Sequence, residues 1–403
     1  MVFDKNLAAG LATSLVVGIG ATITLAEGLE RANLDTSFMF SEGTVAEFGM
    51  GRVTPSLPAT RAAFGLDSDS VAKSFTVTTF STKMDIGDGI SAGIWYTNNG
   101  NGVSLDYGTL TTVPLRQSLG LAGGDTGTIA ADLNMPSLAA LVTYDLNDNF
   151  SLIGGFKRVT VPGGASVKTF NDTDDDNTLL GLPGFPTAST GPGGGEDLPD
   201  ATSTWTLSDT SAAGAVYGLS YARSDIALRV TMLVESAIDL SIDTTGAGGV
   251  AASGTSTAGV GDAVSFAFQT GIAENTLLYG NYRISKWKDN QVSVPTVVGL
   301  AQLSDFDDGD SWSLGVARRI NDSLAVSVSY FSDPGDGNDA SELSPTGGNR
   351  AITAGAKVGV MDNADLTLGA TWSQRGDATT ANLGAALNKS IVTTLGAKLS
   401  YKF

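Results

Sequence analysis

The side chains available for chemistry in this sequence are carboxylates, lysines, arginines and hydroxyls, because its 403 residues include no histidine and no cysteine. Serine-hydrolase triads, cysteine nucleophiles, Cys/His zinc sites, iron–sulfur clusters and disulfides each need one of the two missing residue types. Most hydrolase and oxidoreductase mechanisms therefore lack a required residue, and only carboxylate, lysine or serine/threonine chemistry remains possible. We expect no catalytic residue, no metal site and no cofactor, and we predict that the protein is not an enzyme.

Charged residues inside apolar segments are candidates for binding. In a membrane-spanning strand, a charged side chain that faces lipid at the middle of the bilayer costs about 2–4 kcal/mol, so we expect these side chains to face the interior of the protein. Lys157, Arg283 and Arg319 are candidate partners for a ligand carboxylate, because a buried anion needs a cation or hydrogen-bond donors. Alternatively, they form internal ion pairs with Glu47 or Glu235. Residue parity places on this face Glu47, Lys157, Arg229, Glu235, Arg319, Lys357 and Lys398, together with Arg283 if its strand keeps its parity.

Two apolar groups lie outside the regular segments. Phe38, Met39 and Phe40 belong to residues 27–43, which precede the regular segments and either fill an interior space, where they would contact a ligand, or form a disordered leader. The second group lies in the longest loop, Val161 to Thr204, where exposed apolar side chains are unfavourable unless they pack or bind. This group therefore either binds a ligand or packs against a neighbouring loop. Its members are Leu179, Leu180, Leu182 and Phe185.

The formal net charge of −19, from 42 acidic and 23 basic residues, argues against nucleic acid as a partner, since phosphate backbones select basic surfaces. Two acidic runs, residues 172–176 and 306–310, offer oxygen atoms to Ca²⁺. The first lacks the glycine and glutamate that an EF-hand loop has at its sixth and twelfth positions. We interpret both runs as solvated loops.

A hydrophobic period of two dominates the chain from Val45 onward and indicates β-strands. In one example, Trp312, Leu314 and Val316 alternate with serine, glycine and alanine. Short turns and long loops alternate between the segments, which is typical of an up-and-down transmembrane barrel. The fourteen predicted strands are residues 44–53, 71–84, 90–97, 137–145, 150–160, 205–221, 226–240, 263–272, 276–288, 311–320, 324–332, 350–361, 365–373 and 391–403.

Proline and aromatic residues provide independent support for this all-β, antiparallel barrel. All twelve prolines fall in predicted long loops, as expected because proline cannot donate to a strand ladder. Trp312, Tyr330 and Trp372 lie near the ends of apolar stripes, as interfacial aromatic girdles require. The alternative, a soluble β-sandwich or solenoid, does not need such girdles.

The N-terminus predicts export. Leu7 to Ala26 is a run of 20 uncharged residues that ends in small residues before Glu27, which is typical of a cleaved signal peptide; a membrane anchor is the less favoured alternative. We therefore assign residues 1–26 to a signal peptide, 27–43 to an N-terminal hatch or plug, and 44–403 to the barrel. The chain ends on Phe403, which resembles a signal for the outer-membrane assembly machinery.

Several segments together resemble the FadL-type long-chain fatty-acid transporters of Gram-negative outer membranes. The likeness runs from about residue 44 to 403 and is best after residue 263. The segments that carry it are VAEFGMGRVTP, VTYDLNDNFSLIGGFKR, FAFQTGIAENTLLYGNYRISKWKD, SWSLGVARRINDSLAVSVSYFSDPGD and LSPTGGNRAITAGAKVGVMDNADLTLGATW.

The resemblance implies a fourteen-stranded barrel, closed by an N-terminal hatch, through which hydrophobic molecules diffuse passively. It also implies that outer loops capture substrate, for which Leu179, Leu180, Leu182 and Phe185 are the candidates, and that substrate leaves through a wall gap made by a kinked third strand. Family members carry a longer hatch with an Asn-Pro-Ala motif, which this sequence lacks. Residues 98–102, an Asn/Gly run after the third predicted strand, are either that gap or the start of an outer loop, and we favour the loop.

We therefore predict an outer-membrane diffusion channel for long-chain fatty acids or other lipophilic molecules. The main alternative is a general porin for hydrophilic solutes; an outer-membrane lipase or protease and a surface adhesin are less favoured. The expected partners are the lipophilic ligand, outer-membrane lipid and lipopolysaccharide, and the barrel assembly machinery. We expect a monomer.

Overall fold

The computed structural model describes residues 28–62, 65–111, 129–171, 201–335, 337, 340–381, 383–388 and 390–403. The predicted signal peptide, residues 1–26, and the predicted capture residues Leu179, Leu180, Leu182 and Phe185 lie outside the described residues.

Fourteen antiparallel strands form a closed barrel, which confirms the predicted fold class and strand number. Each strand pairs with the next one along the chain, and β1 closes the barrel by pairing with β14 from Val45↔Lys402 to Ser56↔Ile391. The strands are β1 Val45–Ser56, β2 Phe75–Gly87, β3 Ile90–Asp106, β4 Ala130–Asp145, β5 Phe150–Val161, β6 Thr210–Arg223, β7 Leu228–Glu235, β8 Ala263–Ala273, β9 Thr276–Ser285, β10 Gly309–Asn321, β11 Leu324–Asp333, β12 Asn349–Met361, β13 Ala364–Arg375 and β14 Ile391–Lys402.

Short additional elements lie in the long connections. Two predicted strands, 205–221 and 226–240, are each divided in the structure, at residues 208–209 and 236–237. The additional strands are Ala59–Arg61, Leu66–Ser68, Ser166–Asn171, Ala201–Leu207, Ile238–Ala247, Gly254–Val260, Ser293–Thr296, Gly299–Gln302, Ala378–Thr379 and Ala386–Leu387, and the 3₁₀ turns are Ser37–Phe40, Gly108–Thr111 and Ser224–Ile226.

The outer face of the wall carries the apolar stripes that the sequence predicted. Along β10, Trp312, Leu314 and Val316 are exposed, while the small residues between them face the interior. Trp312 also packs on Tyr330 with ring centroids 5.6 Å apart. Exposed aliphatic and aromatic side chains around a closed barrel suit a hydrocarbon environment, because strands that close into a barrel pair their backbone groups with neighbouring strands instead of leaving a free edge. Among the described residues, no helix is long and apolar enough to cross a bilayer.

The two ends of the barrel differ in their connections, as predicted. Connections such as 88–89, 274–275 and 322–323 are tight turns, whereas the opposite end carries the long segments and their short strands. The prediction that every proline lies in a long loop was wrong for two of them, because Pro55 lies near the end of β1 and Pro136 lies in β4. Pro295 lies in the short strand Ser293–Thr296, which belongs to the long connection between β9 and β10.

Pro136 is tolerated inside β4 because no wall partner needs its missing N–H. The β4–β5 ladder starts at Ser137↔Val159, and the β3–β4 ladder changes register between Thr97↔Ser137 and Asn101↔Met135. Proline at a β-bulge is an arrangement that sheets accept.

A large hydrophobic core fills the long-loop end of the barrel. Outer ends of wall strands, such as Val53, Val103 and Val159, pack there against loop residues that include Trp205 and Trp287. Trp205 also donates its indole N–H to the Pro295 carbonyl oxygen at 2.6 Å. The long loops therefore cover the lumen at this end with a packed layer.

Candidate functional site

The N-terminal segment, residues 28–43, lies inside the barrel. Phe38 and Met39 are buried against Trp95, Leu141 and Ile153, three side chains from the inner faces of β3, β4 and β5. Gly93 of β3 makes this approach possible. A Cβ atom at Gly93 would lie 2.3 Å from the Met39 Sδ and 2.7 Å from the Phe38 ring. The inner face of β3 is therefore shaped to receive these two side chains.

A buried ion-pair network fixes the start of the segment to the wall. Arg283 of β9 donates through Nε to the Glu30 Oε2 at 3.2 Å and through Nη1 to the Glu235 Oε1 at 2.8 Å. Lys157 of β5 pairs with the other oxygen of Glu235. All four side chains are at least nine-tenths buried. Removing one member of such a network would leave an uncompensated buried charge.

Polar contacts also fix the end of the segment. Lys83 of β2 donates to the carbonyl oxygens of Ser41 at 2.8 Å and Gly43 at 3.2 Å. Nearby, Glu47 of β1 accepts from Lys398 of β14 at 3.2 Å across the barrel seam. The parity prediction is confirmed for these lumenal charges, because Glu47 and Lys398 are both buried on the inner face.

Residues 98–102 lie within β3, so the prediction that they begin an outer loop was wrong. The β2–β3 ladder runs from Gly87↔Ile90 to Thr79↔Thr97 and resumes only as a single bridge at Ala72↔Leu105. Between these points Asn98 replaces the missing ladder, accepting from the Thr78 N–H at 2.7 Å and donating to the Thr76 carbonyl oxygen at 3.4 Å. We call this stretch the β3 interruption.

The N-terminal segment covers the β3 interruption from the inside. The backbone N–H groups of Arg31 and Ala32 both donate to the Gly100 carbonyl oxygen at 2.9 Å, and the Gly102 N–H donates to the Leu29 carbonyl oxygen at 2.7 Å. Gly102 has φ +145°, a conformation that only glycine adopts readily. The segment thus supplies backbone pairing that β2 does not.

Arg31 occupies the β3 interruption with its side chain. Its guanidinium lies 4.1 Å from the centroid of the Phe75 ring and donates to the Asn99 side-chain oxygen at 2.8 Å. Burial lowers the pKa of Arg31 to about 10, while the charge of Asp132 acts in the opposite direction. Arg31 therefore remains a cation at neutral pH. A small cavity of about 50 Å³, lined by Arg31, Phe75 and Gly102 among others, lies beside it.

A larger cavity, of about 180 Å³, lies between the N-terminal segment and strands β7 to β11. Leu34, Phe40, Leu233 and Tyr279 provide apolar lining. The polar side chains of the lining are Asn33, Asp35, Thr36, Ser37, Arg229, Thr231, Ser265, Gln269, Asn281, Arg283, Ser313 and Ser329. We call this space the lumenal cavity. A concave space that combines apolar surface with polar side chains can hold a small molecule.

The predicted site residues that the structure describes occupy four different places. Phe40 and Arg283 line the lumenal cavity, whereas Phe38 and Met39 are packed away from it against β3 to β5. Lys157 lies behind Arg283 in the ion-pair network. Arg319 lies near the β10–β11 turn, in a separate space that it lines with Lys357 and Lys402.

Sequence reasoning did not single out three residues of this site. Glu30 and Arg31 sit in a segment without hydrophobic periodicity, so no pattern indicated that they contact the wall. Arg229 was placed on the inner face but not connected with a ligand. In the structure its guanidinium lies over the Phe40 ring, 4.5 Å from the centroid. Two features of the sequence could have indicated this contact: the alternation in β7, which places Arg229 on the inner face, and the aromatic residue Phe40 in the N-terminal segment.

Comparisons with known proteins give matches among solved structures only. No family model and no curated protein matches the sequence. The chain is similar to a FadL homologue of Pseudomonas aeruginosa (TM-score 0.68, 14% identity, 97% of this chain and 98% of that one). It is also similar to the Pseudomonas putida toluene transporter TodX (TM-score 0.62, 14% identity, 96% and 99%) and the Ralstonia pickettii toluene transporter TbuX (TM-score 0.59, 12% identity, 96% and 99%). The chain therefore has the fold of FadL-type barrels.

Proposed function

We propose that this protein is a passive channel of the Gram-negative outer membrane that carries hydrophobic small molecules. The observation that carries the proposal is the N-terminal segment packed inside a closed barrel beside the partly apolar lumenal cavity. An open aqueous channel would be expected of a general porin. The toluene transporters of similar fold support lipophilic molecules as the substrate class. The absence of His and Cys is consistent with passage of a molecule rather than its conversion.

We propose a route with three stages. Substrate is captured among the long loops, for which Leu179, Leu180, Leu182 and Phe185 remain our candidates. It then rests in the lumenal cavity, against the N-terminal segment acting as a plug. It leaves through the wall at the β3 interruption, or through the lumen, when the segment shifts. At the interruption β2 and β3 are joined by hydrogen bonds to one side chain, that of Asn98, and these should open more easily than a ladder of backbone hydrogen bonds. This difference favours the lateral exit.

An uptake assay tests the channel. The protein is expressed in a Gram-negative host that lacks its own transporters of this fold. Entry of radiolabelled toluene and of radiolabelled oleate is then measured at low external concentration. We expect faster entry of at least one of them than in the empty-vector host. In liposomes, the purified protein should pass arabinose no faster than protein-free membranes. Rapid arabinose flux without lipophile uptake would assign a general porin instead.

A reversible crosslink tests the lateral exit. Thr78→Cys with Asn98→Cys joins β2 to β3 at the interruption, in a chain that has no other cysteine. Oxidation should slow lipophile uptake, and reduction should restore it. Thr82→Cys with Ile94→Cys, a cross-strand pair in the intact β2–β3 ladder, is the matched control and should leave uptake unchanged in both states. Equal uptake in the oxidised and reduced interruption variant would place the exit elsewhere.

We further propose that residues 1–26 are removed on export and that the C-terminus serves barrel assembly. Phe403 is exposed at the end of β14 and its ring packs on Tyr401 with centroids 4.8 Å apart, so it is available to another protein. Deletion of Phe403 should lower the amount of folded barrel in the membrane, measured by heat-dependent migration in gels. Outer-membrane lipid and lipopolysaccharide remain our proposed surroundings, and a monomer our proposed state.

A further inference from the structure

We infer that the lumenal cavity binds a small aromatic carboxylate, with Arg229 as the partner of its charge; this inference rests on the proposed channel function. Fatty acids and uncharged hydrocarbons are the other ligand classes that such a channel could carry. Three properties of the cavity favour the aromatic acid: a guanidinium without a carboxylate partner, two carboxylates already paired with the other cation of the lining, and the size of the space.

Arg229 is the uncommitted cation. Within the described part of the chain, no carboxylate lies within 4.0 Å of its guanidinium, which stacks on the Phe40 ring instead. Its Nε is buried and has no hydrogen-bond partner among the described atoms. The field of Asp145 reaches Arg229 from the β4–β5 turn, but beyond ion-pair distance. A planar guanidinium held by an aromatic face leaves its edge free for a carboxylate.

Arg283, the second cation of the lining, has no comparable capacity. Its Nε and Nη2 donate to Glu30, and its Nη1 donates to both Glu235 and the Ser265 hydroxyl. Four of its five N–H groups are thus committed, and two buried carboxylates, Glu30 and Glu235, balance its charge. An anionic ligand should therefore prefer Arg229, which has no carboxylate partner among the described residues.

The cavity has the size and lining for one substituted ring. An apolar cavity of about 150 Å³ can hold benzene, and this one measures about 180 Å³. Phe40, Tyr279 and Leu233 supply surface for the ring, and Gln269, directly opposite Arg229 on the neighbouring strand, adds an amide donor for the carboxylate. A ring with one carboxylate matches this combination better than a long alkyl chain.

Binding of benzoate against benzamide tests the inference, because the two ligands share a ring and differ mainly in charge. Isothermal titration with the detergent-extracted full chain should give a Kd for benzoate at least ~10-fold lower than for benzamide, as a charge-assisted hydrogen bond predicts. Arg229→Gln should bring the two constants to within about twofold, mainly by weakening benzoate. Equal constants in the wild type, or a preference unchanged in Arg229→Gln, would overturn the inference.

Two controls separate this result from other failures. Arg158→Gln removes a cation from the exposed outer face of β5 and should keep the benzoate preference. Heat-dependent migration in gels shows whether each variant is folded. Uptake of toluene and of oleate is measured in parallel. Entry of either one without a benzoate preference refutes the aromatic-acid site and leaves the channel standing. Entry of neither one, together with no benzoate preference, refutes the channel itself. A preference for octanoate over benzoate would assign the site to aliphatic acids and also overturn the inference.

Discussion

The N-terminal segment divides the lumen into two sides that differ in packing and in wall structure. Toward β3 to β5 the segment is tightly packed through Phe38 and Met39, and the wall there is interrupted. Toward β7 to β11 the strands pair continuously, with register shifts only beside the tight turns, but the segment leaves the lumenal cavity. Space for a ligand and a weak place in the wall therefore lie on opposite sides of the segment.

This separation indicates how the barrel can remain closed while it holds a ligand. Glu30 and Arg31 are adjacent in the chain, yet Glu30 is bound to Arg283 at the cavity and Arg31 occupies the β3 interruption. A shift of the segment that loosens one contact must also strain the other. A ligand in the cavity can then reach the interruption only when the segment moves.

Removing the segment should have the largest effect, because it joins the two sides. Deletion of residues 28–40 should raise the flux of small polar solutes by roughly tenfold or more, since an unplugged barrel of this strand number approaches the size of an aqueous channel. Liposome swelling with arabinose measures this flux. Heat-dependent migration confirms that the deleted protein is folded. A flux equal to that of the intact chain would mean that the loops alone close the barrel.

Breaking the ion-pair network should have the next largest effect, on stability. Glu235→Gln removes the carboxylate that pairs with both Lys157 and Arg283. Loss of one partner from a buried ion pair typically lowers the free energy of unfolding by about 3–5 kcal/mol. Urea unfolding in detergent micelles measures the free energy of unfolding. The control is Asp225→Asn, in the exposed ion pair with Arg223, which should leave stability nearly unchanged. Similar values for the two variants would show that the network does not hold the segment.

The wall was predictable from sequence, because alternation in β10 or β14 records directly which side chains face lipid. The lumen contents were predictable only in part. Parity placed Glu47, Lys157 and Glu235 inside, but the choice of ion-pair partners depends on a segment that has no period and whose position is set by tertiary contacts. The β3 interruption was misassigned for a related reason. Asn and Gly near a strand end indicate a turn, and only the structure reveals that the Asn98 side chain replaces ladder bonds.

A smaller effect should follow from filling the close contact on the packed side. Gly93→Val adds atoms where the Met39 and Phe38 side chains already lie within 2.7 Å of a Cβ position, and such overpacking costs about 1–3 kcal/mol. We also expect arabinose leakage, because the segment must shift. Gly154→Val is the matched control: this β5 glycine has nothing within 4 Å of its Cβ position. If both variants behave alike in unfolding and leakage, the packed side does not position the segment.

The smallest effect should appear at the β3 interruption itself. Asn98→Ala removes the acceptor of the Thr78 N–H, and a lost hydrogen bond of this kind costs about 1 kcal/mol, which corresponds to roughly fivefold faster local opening. Hydrogen exchange at the Thr78 amide measures it, with the Thr82 amide in the intact ladder as an internal reference. Asn98→Asp keeps an acceptor oxygen and should preserve most of the protection at Thr78. Exchange at Thr78 that is as slow as at Thr82 in the wild type, and that does not respond to Asn98→Ala, would show that the wall at the interruption is as stable as a ladder. The two sides of the lumen would then differ in packing alone.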